Sequence, residues 1–114
     1  MRRMLFILAT AMALPFAEAG IRPFGAEERV AFLGDSITHG GGYVADLQVA
    51  WKVRHPESRP VFLNAGIGGD TAKRGFERVE TDLAPMRPDR VVVMFGMNDV
   101  NTGRAYFEEW MVKL

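Results

Sequence analysis

Val30-Ala31-Phe32-Leu33-Gly34-Asp35-Ser36-Ile37-Thr38 joins an apolar run to a glycine and a serine. Residues 30–33 form a short apolar run closed by a glycine, and such a run reads as a buried strand. Ser36 follows two residues after the glycine. In an open α/β sheet ligands bind beyond the carboxyl ends of the strands. A serine at that point can present its hydroxyl to a ligand, and the backbone around it can help hold an anion.

Working outward, the same arrangement recurs twice. Residues 60–63 and 91–95 are further apolar runs. The first leads into Asn64-Ala65-Gly66-Ile67-Gly68-Gly69-Asp70 and the second into Gly96-Met97-Asn98-Asp99. The run Val91-Val92-Val93-Met94-Phe95 has no polar interruption, which suits a parallel strand buried on both faces. Between the strands the apolar period changes from continuous to helical. Val44, Leu47 and Trp51 predict a helix over 43–54, ended by Pro56. Ala72, Phe76, Val79 and Leu83 fall on one face of a second helix, capped by Asp70 or Thr71 and stopped by Pro85 and Pro88. Tyr106, Phe107, Trp110, Met111 and Leu114 suggest a third. Thr38-His39-Gly40-Gly41-Gly42 reads as a flexible turn. Strand, helix, strand, helix, strand, helix predicts a parallel sheet wrapped by helices. The last helix has no stop signal and breaks off within its apolar pattern. A three-stranded parallel sheet also leaves edges to be covered. Both features read as a C-terminally truncated domain.

The chain has 114 residues, 48% hydrophobic and 25% charged, with no cysteine. That is ordinary globular composition for one domain at most. Disulfides and thiolate metal sites are excluded. Fourteen basic residues balance fourteen acidic ones, with no basic run, so nucleic acid is not an expected partner. Residues 1–19 read as a signal peptide: Arg2 and Arg3, an apolar stretch over 4–16, then Ala17-Glu18-Ala19 before Gly20. The apolar stretch is shorter than the roughly 20 residues of a membrane span. Cleavage after Ala19 removes Arg2, Arg3 and Glu18, which leaves 12 basic and 13 acidic residues, a net of −1. The mature chain is expected to be secreted or periplasmic, with 20–28 as a connector and 29–114 as the folded part.

Gly34-Asp35-Ser36-Ile37-Thr38 resembles the first block of the GDSL, or SGNH, hydrolases, and the resemblance extends to about Asn101 through the two later blocks. It implies a flavodoxin-like three-layer α/β/α domain and ester hydrolysis without metal or organic cofactor, on a small-molecule or glycan ester. It implies that Ser36 is the nucleophile and that the Gly69 N–H and the Asn98 side-chain amide hold the oxyanion. Acyl transfer passes through a tetrahedral intermediate with negative charge on oxygen, and donors fixed around that oxygen lower the barrier. Glycine at 69 leaves its N–H unshielded. The Asn98 amide is a neutral donor at any ordinary pH.

A serine hydroxyl needs a base to take its proton. The family's Asp-x-x-His block is not found in these 114 residues. His39 reads as a loop residue and His55, before Pro56, as a solvated one, so neither is assigned to catalysis. His39-Gly40-Gly41-Gly42 looks like an α/β-hydrolase oxyanion loop but precedes no Gly-x-Ser-x-Gly elbow. Gly66-x-Gly68 looks like part of a dinucleotide fingerprint but follows the second strand instead of the first. The expectation is therefore a serine ester hydrolase with its base outside the sequence. The competing one is an inactive or non-catalytic fragment that keeps an acyl- or glycan-binding pocket.

Overall fold

The computed structural model describes residues 23–114. The signal-peptide reading over 1–19 and the first residues of the connector lie outside the described residues. Three parallel strands form the sheet, β1 (Arg29–Gly34), β2 (Val61–Gly66) and β3 (Arg90–Met94), in the order β2-β1-β3. Arg29 to Gly34 of β1 pair in register with Val61 to Gly66, and Val30 to Gly34 with Arg90 to Met94.

Alternation along β1 explains why its apolar run is unbroken. Side chains of successive strand residues point to opposite faces. Val30 and Phe32 meet Val44, Tyr43 and Leu47 of helix α2 (Gly42–Arg54) on one face. Ala31 and Leu33 meet Leu83, Val79, Met86 and Leu114 on the other. Helices thus cover both faces, as the three-layer reading requires, and residues 30–33 of the central strand are buried. The edge position of β3 changes the outcome for its apolar run. Val92 and Val93 pack into opposite clusters, yet β3 is only half-buried and Val91 is 37% exposed. Among the described residues β3 is paired on one side only, so its far side lacks the cover that burial on both faces needs.

Two stretches depart from the sequence reading. Residues 36–40 are not a loose turn but a short helix, α1 (Ser36–Gly40). The buried Asp35 caps it, its Oδ1 accepting from the Ile37 N–H at 2.9 Å, and Gly41 ends it with φ 75°. The helix expected over 72–83 is interrupted. Helix α3 covers Ala72–Glu77, a π-helical turn covers Val79–Leu83, and a 3-10 turn covers Ala84–Met86 with Pro85 inside it. The π turn shifts the phase, so Val79 and Leu83 face β1 while Phe76 lies against Trp110 of helix α4 (Arg104–Lys113). Of the two cap candidates, Thr71 does the capping, its Oγ1 accepting from the Arg74 N–H at 3.3 Å. Thr71→Ala should lower stability by about 1 kcal/mol, read from the chemical-denaturation midpoint at unchanged slope.

Candidate active site

The paired register sets the ends of all three strands level, because Gly34 is opposite both Gly66 and Met94. The chain turns away from the sheet at each of these ends. Ser36 is the first residue of α1 and is exposed. Gly69 lies in the exposed connection from β2 to α3, with φ 79°. That left-handed backbone suits glycine and strains residues with a Cβ. Asn98 lies in the 3-10 turn Met97–Asp99 that follows β3 and is exposed. The three residues therefore sit beyond the same edge of the sheet.

Hydrogen bonds tie these connections to each other. The Asn98 amide donates from Nδ2 to the Asp70 carbonyl at 2.8 Å, one residue from Gly69. A carboxamide has two N–H groups, so this tether uses one and fixes the direction of the other. The Asp99 carboxylate is buried and accepts from the Ala72 N–H at 3.1 and 3.3 Å, which caps α3 from another segment. Thr102 Oγ1 donates to the Asp99 carbonyl at 2.7 Å and steadies the same turn. On the other side, the Ile67 N–H donates to the Gly34 carbonyl at 3.0 Å.

The segment that carries Ser36 is fastened to β2 in the same way. Asn64 Nδ2 donates to the Thr38 carbonyl at 2.7 Å while its Oδ1 accepts from the Gly66 N–H at 2.9 Å. His39 Nδ1 lies 3.1 Å from the Gly66 carbonyl. A carbonyl only accepts, so Nδ1 carries the proton in this contact. Gly66 also permits the close approach of α1, since a Cβ there would overlap the backbone of Thr38 and His39. Among the described residues no hydrogen bond joins Ser36 to either histidine. His55 caps the far end of α2, its ring 4.2 Å from that of Trp51.

Sequence reasoning missed the residues that hold this edge together. Asp70 and Arg78 form a buried pair, Nε to Oδ2 at 2.7 Å. Arg78 also donates from Nη2 to the Ala65 carbonyl at 2.6 Å and the Gly34 carbonyl at 3.3 Å. Their spacing of 8 along the chain gives no helical or strand signal. A cleft of about 310 Å³ lined by Trp51, Lys52, Arg59 and Phe62 lies at the opposite end of the sheet, near the start of β2, and is separate from this site. Among the described residues no group of three or more His, Cys, Asp or Glu could hold a metal ion.

Comparisons with known proteins converge on one family. The model of the GDSL-like lipase/acylhydrolase family matches residues 32–109. An acetylxylan esterase of Geobacillus stearothermophilus is 34% identical over 91 residues, which cover 67% of this chain and 42% of that protein. The crystal structure of a catalytic mutant of Axe2, an acetylxylan esterase from the same organism, superposes with TM-score 0.73 at 27% identity, over 79% of this chain and 53% of that one. The SGNH-hydrolase family esterase AlinE4 superposes with TM-score 0.63 at 28% identity, over 80% of this chain and 52% of that one. The chain thus spans about two-fifths of the curated relative and about half of these solved chains.

Proposed function

As the chain belongs to the GDSL-like lipase/acylhydrolase family, we propose that it carries the nucleophile and oxyanion-binding part of a serine ester hydrolase. The observation that supports this reading best is the tether from Asn98 to the Asp70 carbonyl. It links the connection that carries Gly69 to the one that carries Asn98, beyond the strand end from which Ser36 projects. In this reading Ser36 Oγ attacks the ester carbonyl carbon as a base takes its proton. The carbonyl oxygen becomes an oxyanion held by the Ser36 N–H, the Gly69 N–H and the free N–H of Asn98. Collapse breaks the bond to the alcohol, which leaves with a proton, and water then releases the acid from the acyl-enzyme. Fixed neutral donors of this kind act without reorganising as charge develops.

No base is assigned among the described residues. His39 is engaged by Gly66 and His55 by Trp51, and the only other groups near Ser36 in sequence are turn and cap residues. No metal or organic cofactor is assigned. The substrate class is a small acyl ester or an O-acetylated carbohydrate, the second supported by the name of the acetylxylan esterase relatives. Export of the chain belongs to this reading and is supported by the leader-like residues 1–19, while Phe24 already packs against Trp51 and Phe62. Among the described residues no helix is long and apolar enough to cross a membrane.

The test uses excess p-nitrophenyl acetate with the 114-residue chain in a buffer that contains imidazole as an external base, since the serine hydroxyl needs one. Peptide mapping by mass spectrometry should find an acetyl group on Ser36, absent from Ser36→Ala, with little turnover beyond it. Fast multiple turnover that His39→Ala abolishes would instead make His39 the base. No acetyl group on Ser36 would favour a non-catalytic module that binds esters or glycans.

A further inference from the structure

We propose that Arg78 is the positioning residue that joins the three segments of the acyl-transfer site into one rigid unit, an inference that rests on the function proposed above. Its guanidinium lies at the carboxyl edge of the sheet and bonds to the ends of β1 and β2 and to the connection that follows β2. Nη2 is 2.6 Å from the Ala65 carbonyl at the end of β2 and 3.3 Å from the Gly34 carbonyl, two residues before Ser36. Nε is 2.7 Å from the Asp70 carboxylate, one residue after Gly69. The backbone carbonyl of that same Asp70 receives Asn98. A path of four residues, Gly34 to Arg78 to Asp70 to Asn98, thus connects the strand leading to the nucleophile with both oxyanion donors.

Burial and chemistry both favour this role over that of an incidental ion pair. The side chains of Arg78 and Asp70 are only 11% and 6% exposed. Arginine offers five donors in a planar fork, and here they are divided among a carboxylate and two main-chain carbonyls. The second carboxylate near it, Asp82, is 3.8 Å away and 43% exposed, and contributes little fixation. Arg78 is also the residue between α3 and the π turn. Single π turns in helices recur at functional sites.

The experiment compares Arg78→Gln, Arg78→Lys and Asp70→Asn with the wild-type 114-residue chain. It reads three things: the Gly69 amide and Asn98 side-chain amide signals in ¹H–¹⁵N spectra, the rate of Ser36 acetylation by p-nitrophenyl acetate, and Tm. Lysine keeps the charge beside Asp70 but cannot fork across to both carbonyls. The expected result is displacement of both signals in all three variants. Acetylation should slow about tenfold in Arg78→Lys and about a hundredfold in Arg78→Gln, the size expected for a misplacement near 1 Å. Asp82→Asn should leave signals and rate unchanged. A lower Tm with both signals in place and an unchanged rate, measured well below melting, would overturn the inference. If Arg78→Gln does not fold, Arg78→Lys and Asp70→Asn decide by the same signals. Absence of acetylation in the wild-type chain would count against the acyl-transfer reading alone, since the two amide signals still judge the placement by Arg78.

Discussion

Asn98→Ala should slow acetylation of Ser36 by about 10²–10³, the usual cost of losing one oxyanion donor. The size of the effect follows from how the side chain is held. One N–H is already committed to the Asp70 carbonyl at 2.8 Å, so the amide does not rotate freely and the second N–H has a fixed aim. Alanine removes the donor and releases the Asp70 carbonyl to water. Asn98→Asp is the sharper variant. It is nearly the same shape, but it puts a carboxylate oxygen opposite a carbonyl oxygen and a negative charge where a second one must develop. It should be no faster than alanine. Time courses of acetyl incorporation, followed by mass spectrometry beside a Ser36→Ala control, measure both. A variant with an undiminished rate would remove Asn98 from the site and leave its hydrogen bond as a loop brace.

Phe32→Ala should cost about 3–5 kcal/mol, as deletion of a fully buried aromatic typically does. Phe32 is 1% exposed at the middle of the central strand. Its ring packs edge-on against Tyr43 of α2 at 5.9 Å and Phe62 of β2 at 5.4 Å. Phe62 in turn meets Phe24, whose ring lies 4.9 Å from Trp51. Removing Phe32 opens a void where three elements meet, and the sheet cannot close over it because both neighbouring strands are fixed by register. Whole domains are stable by only about 5–15 kcal/mol, so the variant should be largely unfolded at 37 °C. Urea titration followed by tryptophan fluorescence checks this. A loss below about 1 kcal/mol would mean that the aromatic cluster is far looser than the structure has it.

The strands were legible because each is a contiguous apolar run with a polar break at its end, and parallel strands covered on both sides need that composition. Their alternation with helices along the chain, and the fact that Ser36, Gly69 and Asn98 follow strand ends, came with them, whereas the sheet order β2-β1-β3 did not. What stayed hidden was local phase and long-range polar contact. Gly40-Gly41-Gly42 looks like a loop, yet Asp35 and Gly41 cap a short helix before it. Ala72, Phe76, Val79 and Leu83 fit an unbroken helix equally well, and nothing in their spacing marks the π turn. Asp99 looks like a turn residue but caps α3 across the fold. Arg78 is one of many charged residues on a helical stretch until the strand ends below it are known. The contacts of Asp99 and Arg78 depend on partners remote in the chain, which spacing along one segment cannot reveal.

Because β1 is flanked by β2 and β3, nothing beyond Ser36 is in place until both long-range pairings close. Such contacts form slowly, since distant parts of the chain must be brought together first. On the ribosome, the residues around Ser36 emerge well before Arg90 to Met94 can dock beside them. During that interval the apolar heart of β1 is uncovered, and the serine is an ordinary hydroxyl. Assembly of the proposed site and protection from aggregation therefore arrive in the same cooperative event, when the third strand is laid down.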